Sequence, residues 1–341
     1  MTDAPARPSL SSLVTAFDAG AEVVGCAFLG DAPALALADG CVLLAGPGAP
    51  RRVETHPGSA VLVAAAAPGR LLTGGDDGRV VETRADGSSV EFYAAPKSAS
   101  GKWIDALAAR ADGASAWSSG KNVFARDAKG ETKTLAAPSS VRGLAFMPKG
   151  YRLVVSHYNG ASLWFPNAAA PPEELFWKGS HLETTASPDG RFVVTAMQEN
   201  ALHAWRVSDA KDLRLAGYPG KPRSMSWSHD GGWLATSGAE AAIVWPFSAK
   251  DGPLNKAPRE YGLMSAKVTV VAFHPKSPIL AQGYEDGAVL LCRHVDGAEL
   301  LVRPGEAGED KGVAALAWDA AGRNLLFGTR SGAAGLLAMP G

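Results

Sequence analysis

Val141-Arg-Gly-Leu-Ala-Phe-Met-Pro-Lys-Gly-Tyr-Arg-Leu-Val-Val-Ser-His-Tyr-Asn-Gly-Ala-Ser-Leu-Trp-Phe165 sets three short apolar runs around two tight reversals. Val141–Phe146 alternates as a strand (a). Met147-Pro-Lys-Gly150 places proline and glycine where they shape a turn. Tyr151–Ser156 is apolar and β-branched, a second strand (b). Tyr158-Asn159-Gly160 supplies a hairpin, because Asn-Gly tolerates the positive φ that such turns demand. Ala161–Phe165 is strand c, and Glu174–Trp177 a more exposed outer strand d. Four strands fit into roughly 40 residues only when every connection is short, which excludes helical crossovers and hence a parallel sheet.

The same grammar recurs along the whole chain. Turn residues fall at Gly30, Gly69, Gly113, Gly150, Gly190, Gly231, Ser277 and Gly322, in steps of 37 to 46 residues. Apolar runs precede most of them, such as Val23–Phe28, Val61–Ala66, Val268–Phe273 and Val313–Trp318. This period is the mark of an all-β β-propeller whose repeats each fold as one four-stranded blade. Outer strands are expected at Arg52–Glu54, Val90–Tyr93, Thr132–Leu135, Glu174–Trp177, Leu213–Leu215, Arg259–Tyr261 and Glu299–Val302. The eighth repeat ends without one, and Leu13–Phe17 is a spare strand. Pairing it with the last blade would close the ring and cover two sheet edges. Eight blades in a single domain over residues 1–341 follow, with seven as the alternative because repeats one and three match least.

Composition agrees. Hydrophobic residues make up 46% and charged residues 20% of 341, with a formal net charge of −1, so nothing draws the chain to nucleic acid or an anionic membrane. Cys26, Cys41 and Cys292 lack CxxC spacing and read as small buried hydrophobes, a usage that suits a reducing compartment. The opening residues show no signal segment, and no run of 18 apolar residues occurs. A cytoplasmic monomer is the expectation.

Ser187-Pro-Asp-Gly190, Ala272-Phe-His-Pro275, Trp227-Ser-His-Asp-Gly231, Leu234-Ala-Thr-Ser-Gly238, and Trp164, Trp205 and Trp245 on strand c resemble the WD40 repeat family over essentially the whole chain. The Trp-Asp dipeptide is missing: Phe165, Arg206 and Pro246 follow the three tryptophans. Of the family's Asp–His–Ser/Thr–Trp cluster, His181 and Trp205 match in repeat five, where Asn200 stands for the aspartate. Asp77 and Asp286 match the turn aspartate of repeats two and seven. The resemblance implies a rigid scaffold that binds proteins or peptides, usually without catalysis. Small bacterial proteins that resemble this one accompany metal-chaperone GTPases, which makes such a GTPase an alternative partner.

In a propeller the d–a and b–c connections share one face, here the top. Trp103, Tyr158, Trp177 and Tyr284 fall at or near them, and aromatic and Arg side chains are typical interface anchors. Arg142 and Arg223 occupy matching positions on strand a, with Asp105 and Glu183 nearby, as charges at the mouth of the central channel. His157 and His181 should lie on the same face of adjacent blades, but spacing supplies no further ligand to make a metal site. His229 and His274 read as turn stabilisers. These assignments make the top face, with Trp103, Arg142, His157, Tyr158, Trp177, His181, Arg223 and Tyr284, the expected partner-binding surface.

Other chemistries find little support. Thr73-Gly-Gly-Asp-Asp-Gly78 lacks the GK[ST] ending of a phosphate loop and is a b–c turn. No G-x-S-x-G or HExxH occurs. Quinone-dependent eight-bladed dehydrogenases carry a tryptophan-docking motif that is not found, and calcium-bearing lactonase-like propellers need more acidic channel residues than Asp105 and Glu183. The expectation is a protein-interaction scaffold without cofactor, metal or catalysis. A ligand-binding, metal-binding or enzymatic propeller is the alternative.

Overall fold

The computed structural model describes residues 7–46, 48–96 and 102–340, so the expectation about the opening residues rests partly on positions outside them. Among these residues, apart from one 3-10 turn, Ser11–Leu13, the regular structure is all strand. β1 (Val14–Asp18) is followed by a first sheet of β2 (Val23–Leu29), β3 (Ala32–Leu37), β4 (Cys41–Leu44) and β5 (Arg51–Glu54). β6 (Val61–Ala67), β7 (Arg70–Gly75), β8 (Arg79–Arg84) and β9 (Ser89–Ala94) make the second. β10 (Ala106–Ala109), β11 (Ser115–Ser119), β12 (Asn122–Arg126) and β13 (Thr132–Ala136) make the third. A six-stranded sheet follows: β14 (Gly143–Phe146), β15 (Leu153–Trp164), β16 (Glu173–Ala186), β17 (Phe192–Met197), β18 (Ala201–Arg206) and β19 (Lys211–Leu215). Next come β20 (Met225–Trp227), β21 (Trp233–Thr236), β22 (Ala242–Pro246) and β23 (Arg259–Tyr261), then β24 (Val268–Phe273), β25 (Ile279–Tyr284), β26 (Val289–Arg293) and β27 (Ala298–Arg303). The last sheet joins β28 (Val313–Trp318), β29 (Asn324–Thr329) and β30 (Ala333–Ala338) to β1. Neighbouring strands pair antiparallel throughout these sheets.

The blades therefore form seven hydrogen-bonded sheets among the described residues, the alternative count, rather than eight separate ones. The difference lies in repeats four and five. β15 turns back within itself: His157 and Ser162 would be about 16 Å apart along an extended strand, yet their side chains meet at 2.9 Å. The reversal is at Asn159 (φ 68°) and Gly160 (φ 141°). β16 is the outer strand of repeat four, paired with β15 through Glu173–Phe176, and then the inner strand of repeat five, paired with β17 from His181 onward. It bends at Gly179 (φ 133°), between the pair Gly160↔Phe176 and the single pair Tyr158↔Ser180. The strands of both repeats thus share one sheet.

Two compact units emerge: residues 21–223, and residues 224–341 with the first twenty. In each, adjacent sheets pack through apolar faces. Ala106, Val123 and Val141 join Leu153, Val155 and Trp164 between repeats three and four. Ala281, Leu291 and Val302 join Val313, Leu325, Phe327 and Leu337 between the last two. Full burial of each such aliphatic side chain contributes about 1.5–3 kcal/mol. β1 pairs with β30 from Val14↔Leu337 to Asp18↔Ala333, one residue later than expected because Leu13 belongs to the 3-10 turn. Before that turn, the chain lies along the outer edge of β27 through a parallel bridge, Ser9↔Leu301.

All three cysteines are free, but only Cys292 is buried; Cys26 and Cys41 are half-buried. Burial pushes the Cys292 thiol up to about 12.

Candidate protein-binding face

In repeats three to six, the ends where inner strands begin carry a row of alternating charge. Arg142 Nη1 lies 3.2 Å from Asp105 Oδ1, and its side chain remains 58% exposed. Glu183 feels both Arg142 and Arg223, but dense protein around it outweighs them and pushes its carboxyl up to about 7. That push coexists with an open side: Glu183 and Arg223 both keep substantial solvent contact. Exposed pairs of this kind add about 0–1 kcal/mol to stability.

Two aromatic side chains stand at this row. Trp103, two residues before Asp105, is 57% exposed, and Tyr158 is 53% exposed. The Tyr158 amide donates to Ser139 Oγ at 2.9 Å, tying the b–c hairpin of repeat four to the connection that leads into Arg142. Large exposed aromatics beside cations are the composition of an interface core rather than of an ordinary surface. Phe176, 72% exposed on the outer part of β16, is a further apolar projection that the strand pattern alone did not single out.

The histidines belong to the interior. His157 is 4% exposed; its Nε2 meets Ser162 Oγ at 2.9 Å and its Nδ1 the Tyr158 carbonyl at 2.9 Å. Ser162 Oγ in turn donates to Glu174 at 2.9 Å, so the hydroxyl links the imidazole to the carboxylate. His181 is fully buried. A carbonyl can only accept, so His181 Nε2 carries the proton to Trp177 O at 2.9 Å, and Nδ1 accepts from Thr195 Oγ1 at 2.7 Å. Burial lowers its pKa and keeps it neutral.

Trp177, expected to end outer strand d at a d–a connection, lies inside the longer β16. It is half-buried and stacked on His203 at 4.2 Å, with Trp205 edge-on to the same imidazole at 4.6 Å. Desolvation pushes His203 down to about 3. A neutral His203 forms no ion pair with Asp212 despite a 3.4 Å approach, and neither ring nitrogen has a hydrogen-bond partner. Tyr284, expected on the top face, is not at the surface. It is 0% exposed, with its hydroxyl donating to the Gly262 carbonyl and bonded to Gln282 Oε1 at 3.1 Å. It packs in the core of repeats six and seven and offers no surface to a partner.

Repeat two contains a polar set not anticipated. Buried His56 places Nδ1 3.1 Å from both Asp77 oxygens and Nε2 3.0 Å from Thr73 Oγ1. A Cβ on Gly75 would lie 2.5 Å from both Asp77 Oδ1 and His56 Nδ1, so glycine makes room for the set. The signal was present as Thr55-His56 ahead of Thr73 and Asp77, where only the aspartate was read. His274 acts as expected of a turn residue: Nδ1 accepts from the Lys276 amide at 3.0 Å, and Nε2 donates to Gly322 O at 2.9 Å. Among the described residues no three His, Cys, Asp or Glu side chains are grouped to hold a metal ion, and no helix is long and apolar enough to cross a membrane.

No family model matches the chain, and no curated protein does. Solved structures do. The computationally designed Ika8 protein is 16% identical with a TM-score of 0.75, covering 94% of this chain and 98% of its own. A chain of the Mitotic Checkpoint Complex is 13% identical with a TM-score of 0.63, covering 100% and 98%. At these identities the likeness is one of architecture, and with the antiparallel four-stranded sheets above it identifies the chain as an all-β protein of the β-propeller class.

Proposed function

We propose that this chain is a protein-interaction scaffold of the WD40 type that binds a protein or peptide partner in the cytoplasm and catalyses no reaction. The observation that carries the reading is the exposure of Trp103, two residues before Asp105, and of Tyr158, tied through its amide to Ser139, on the connections that lead into the Asp105–Arg142 pair. Such anchors gain affinity by desolvating against a partner, while folding gains nothing from leaving them in water. A Ser–His–carboxylate grouping among the described residues, Ser162, His157 and Glu174, supports a non-catalytic reading: Ser162 is 1% exposed, out of reach of a substrate carbonyl. The binding surface is therefore built on Trp103, Arg142, Tyr158 and Arg223, with Trp177, His157 and His181 as its support.

Affinity capture from the native host with mass spectrometry would identify the partner. Trp103→Ala or Arg142→Ala should then weaken binding at least tenfold with an unchanged melting temperature. Lys149→Ala and Lys276→Ala, in a–b turns, should leave affinity alone. Binding lost with the lysines and kept with Trp103→Ala and Arg142→Ala would refute the assignment.

A further inference from the structure

Outer strands of four-stranded sheets present an unpaired row of backbone groups. On β27 that row is taken up by the chain's own residues Arg7–Leu10. Leu301 N donates to Pro8 O at 2.9 Å, and Leu10 N donates to Leu301 O at 2.7 Å, closing the parallel bridge Ser9↔Leu301. Ser9 Oγ adds a bond to the same carbonyl at 3.3 Å. Pro8 contributes only its carbonyl, so its missing N–H costs the pairing nothing.

Two side chains give this strap a sequence. Arg7 Nε pairs with Glu299 Oε2 at 2.5 Å, and its Nη2 donates to Leu263 O at 2.9 Å. Three residues on, Leu10 packs against the cluster that holds Val302, Leu325 and Leu337. Yet the hold is slight: Pro8 and Ser9 are exposed, Leu10 is half-buried, and the Arg7 side chain is 36% exposed. Immediately beyond the strap a cavity of about 570 Å³ opens, lined by Ser11, Phe17, Val302, Arg303, Lys311 and Phe327, with room for more residues than the strap fills.

We infer that the outer edge of β27 is a strand-addition site for an extended peptide of a partner protein with arginine and leucine at Arg-x-x-Leu spacing, and that Arg7–Leu10 occupies it in cis. In strand addition the backbone ladder provides affinity while alternate side chains select the sequence. Glu299 selects the cation and the Val302 cluster the aliphatic residue. A tethered strap competes at high effective concentration, so the site opens to other chains only when the strap lifts.

The test uses a fluorescent peptide of residues 5–12, Pro-Ala-Arg-Pro-Ser-Leu-Ser-Ser. A variant combining Arg7→Gly, Pro8→Ser and Leu10→Gly should bind it saturably, at least tenfold tighter than the unaltered chain. Adding Glu299→Ala should weaken binding at least fivefold, and N-methylation of the peptide's leucine should abolish it. No binding to the strap variant, or binding indifferent to N-methylation, overturns the inference. Should the variant fail to fold, hydrogen exchange of the Leu301 amide in the unaltered chain decides: excess peptide slows it if the site exists and leaves it unchanged if not. A concentration-dependent dimer of the unaltered chain that disappears in the strap variant would overturn a foreign partner in favour of exchange between copies.

Discussion

His203 offers a direct test of the aromatic stack in repeat five. It is fully buried between Trp177 and Trp205, and its pKa falls from 6.5 to about 3. Below pH 6.5 the unfolded chain takes up a proton that the native imidazole refuses, so stability is intact above 6.5 and lost as pH falls toward 3. At pH 5 the linkage amounts to about 2 kcal/mol. His203→Phe keeps the stack and removes two nitrogens without hydrogen-bond partners, so it should be tolerated at pH 7.5. Between pH 7.5 and 5.0 it should lose about 2 kcal/mol less than the parent chain in urea titrations. His181 shifts in the same direction, and Glu183, raised to about 7, works oppositely by gaining its proton more readily in the folded chain. Both are present in each protein and cancel in the comparison. Equal acid losses in parent and variant would refute the burial argument. A parent that gains stability through His203 on acidification would show instead that Asp212 captures a protonated imidazole.

Three further outcomes are expected. Deleting residues 1–20 removes the β1 ladder from β30 and should lower the calorimetric melting temperature by several degrees. Asp77→Ala strips His56 of its acceptor and should cost about 1–3 kcal/mol, with faster hydrogen exchange confined to repeat two. Trp177→Ala opens the stack over His203 and should cost roughly 2 kcal/mol, whereas Trp103→Ala should stay within about 0.5 kcal/mol in the same denaturant assay.

Strand positions were legible because turn residues punctuate them. The outer strand at Arg259–Tyr261 coincides with β23, and Glu299–Val302 lies inside β27. Glycines and asparagine at positive φ mark these turns without reference to distant contacts. The site was less legible because it depends on register. Tyr284 falls one residue earlier in its repeat than Tyr158: Val270↔Gly283 aligns with Gly143↔Ser156, which sets Tyr284 at the place of buried His157. A slip of one residue along a strand reverses the face, and nothing local to Tyr284 reveals it. Trp177 shows a related effect: outer strand d was expected to end there, but β16 runs on through it into repeat five.

That shared strand changes what repeats four and five are to each other. In most repeat arrays a unit touches its neighbour through side chains, so units fray one at a time. Here one continuous strand, β16, is the outer strand of repeat four and the inner strand of repeat five, and its Ser180 still pairs with Tyr158 at the boundary. The pair should open as one cooperative segment, the Gly179 bend should be the worst place on the chain to insert a tag or cut a permutant, and pulling on the outer strand of repeat four would load the inner strand of repeat five directly.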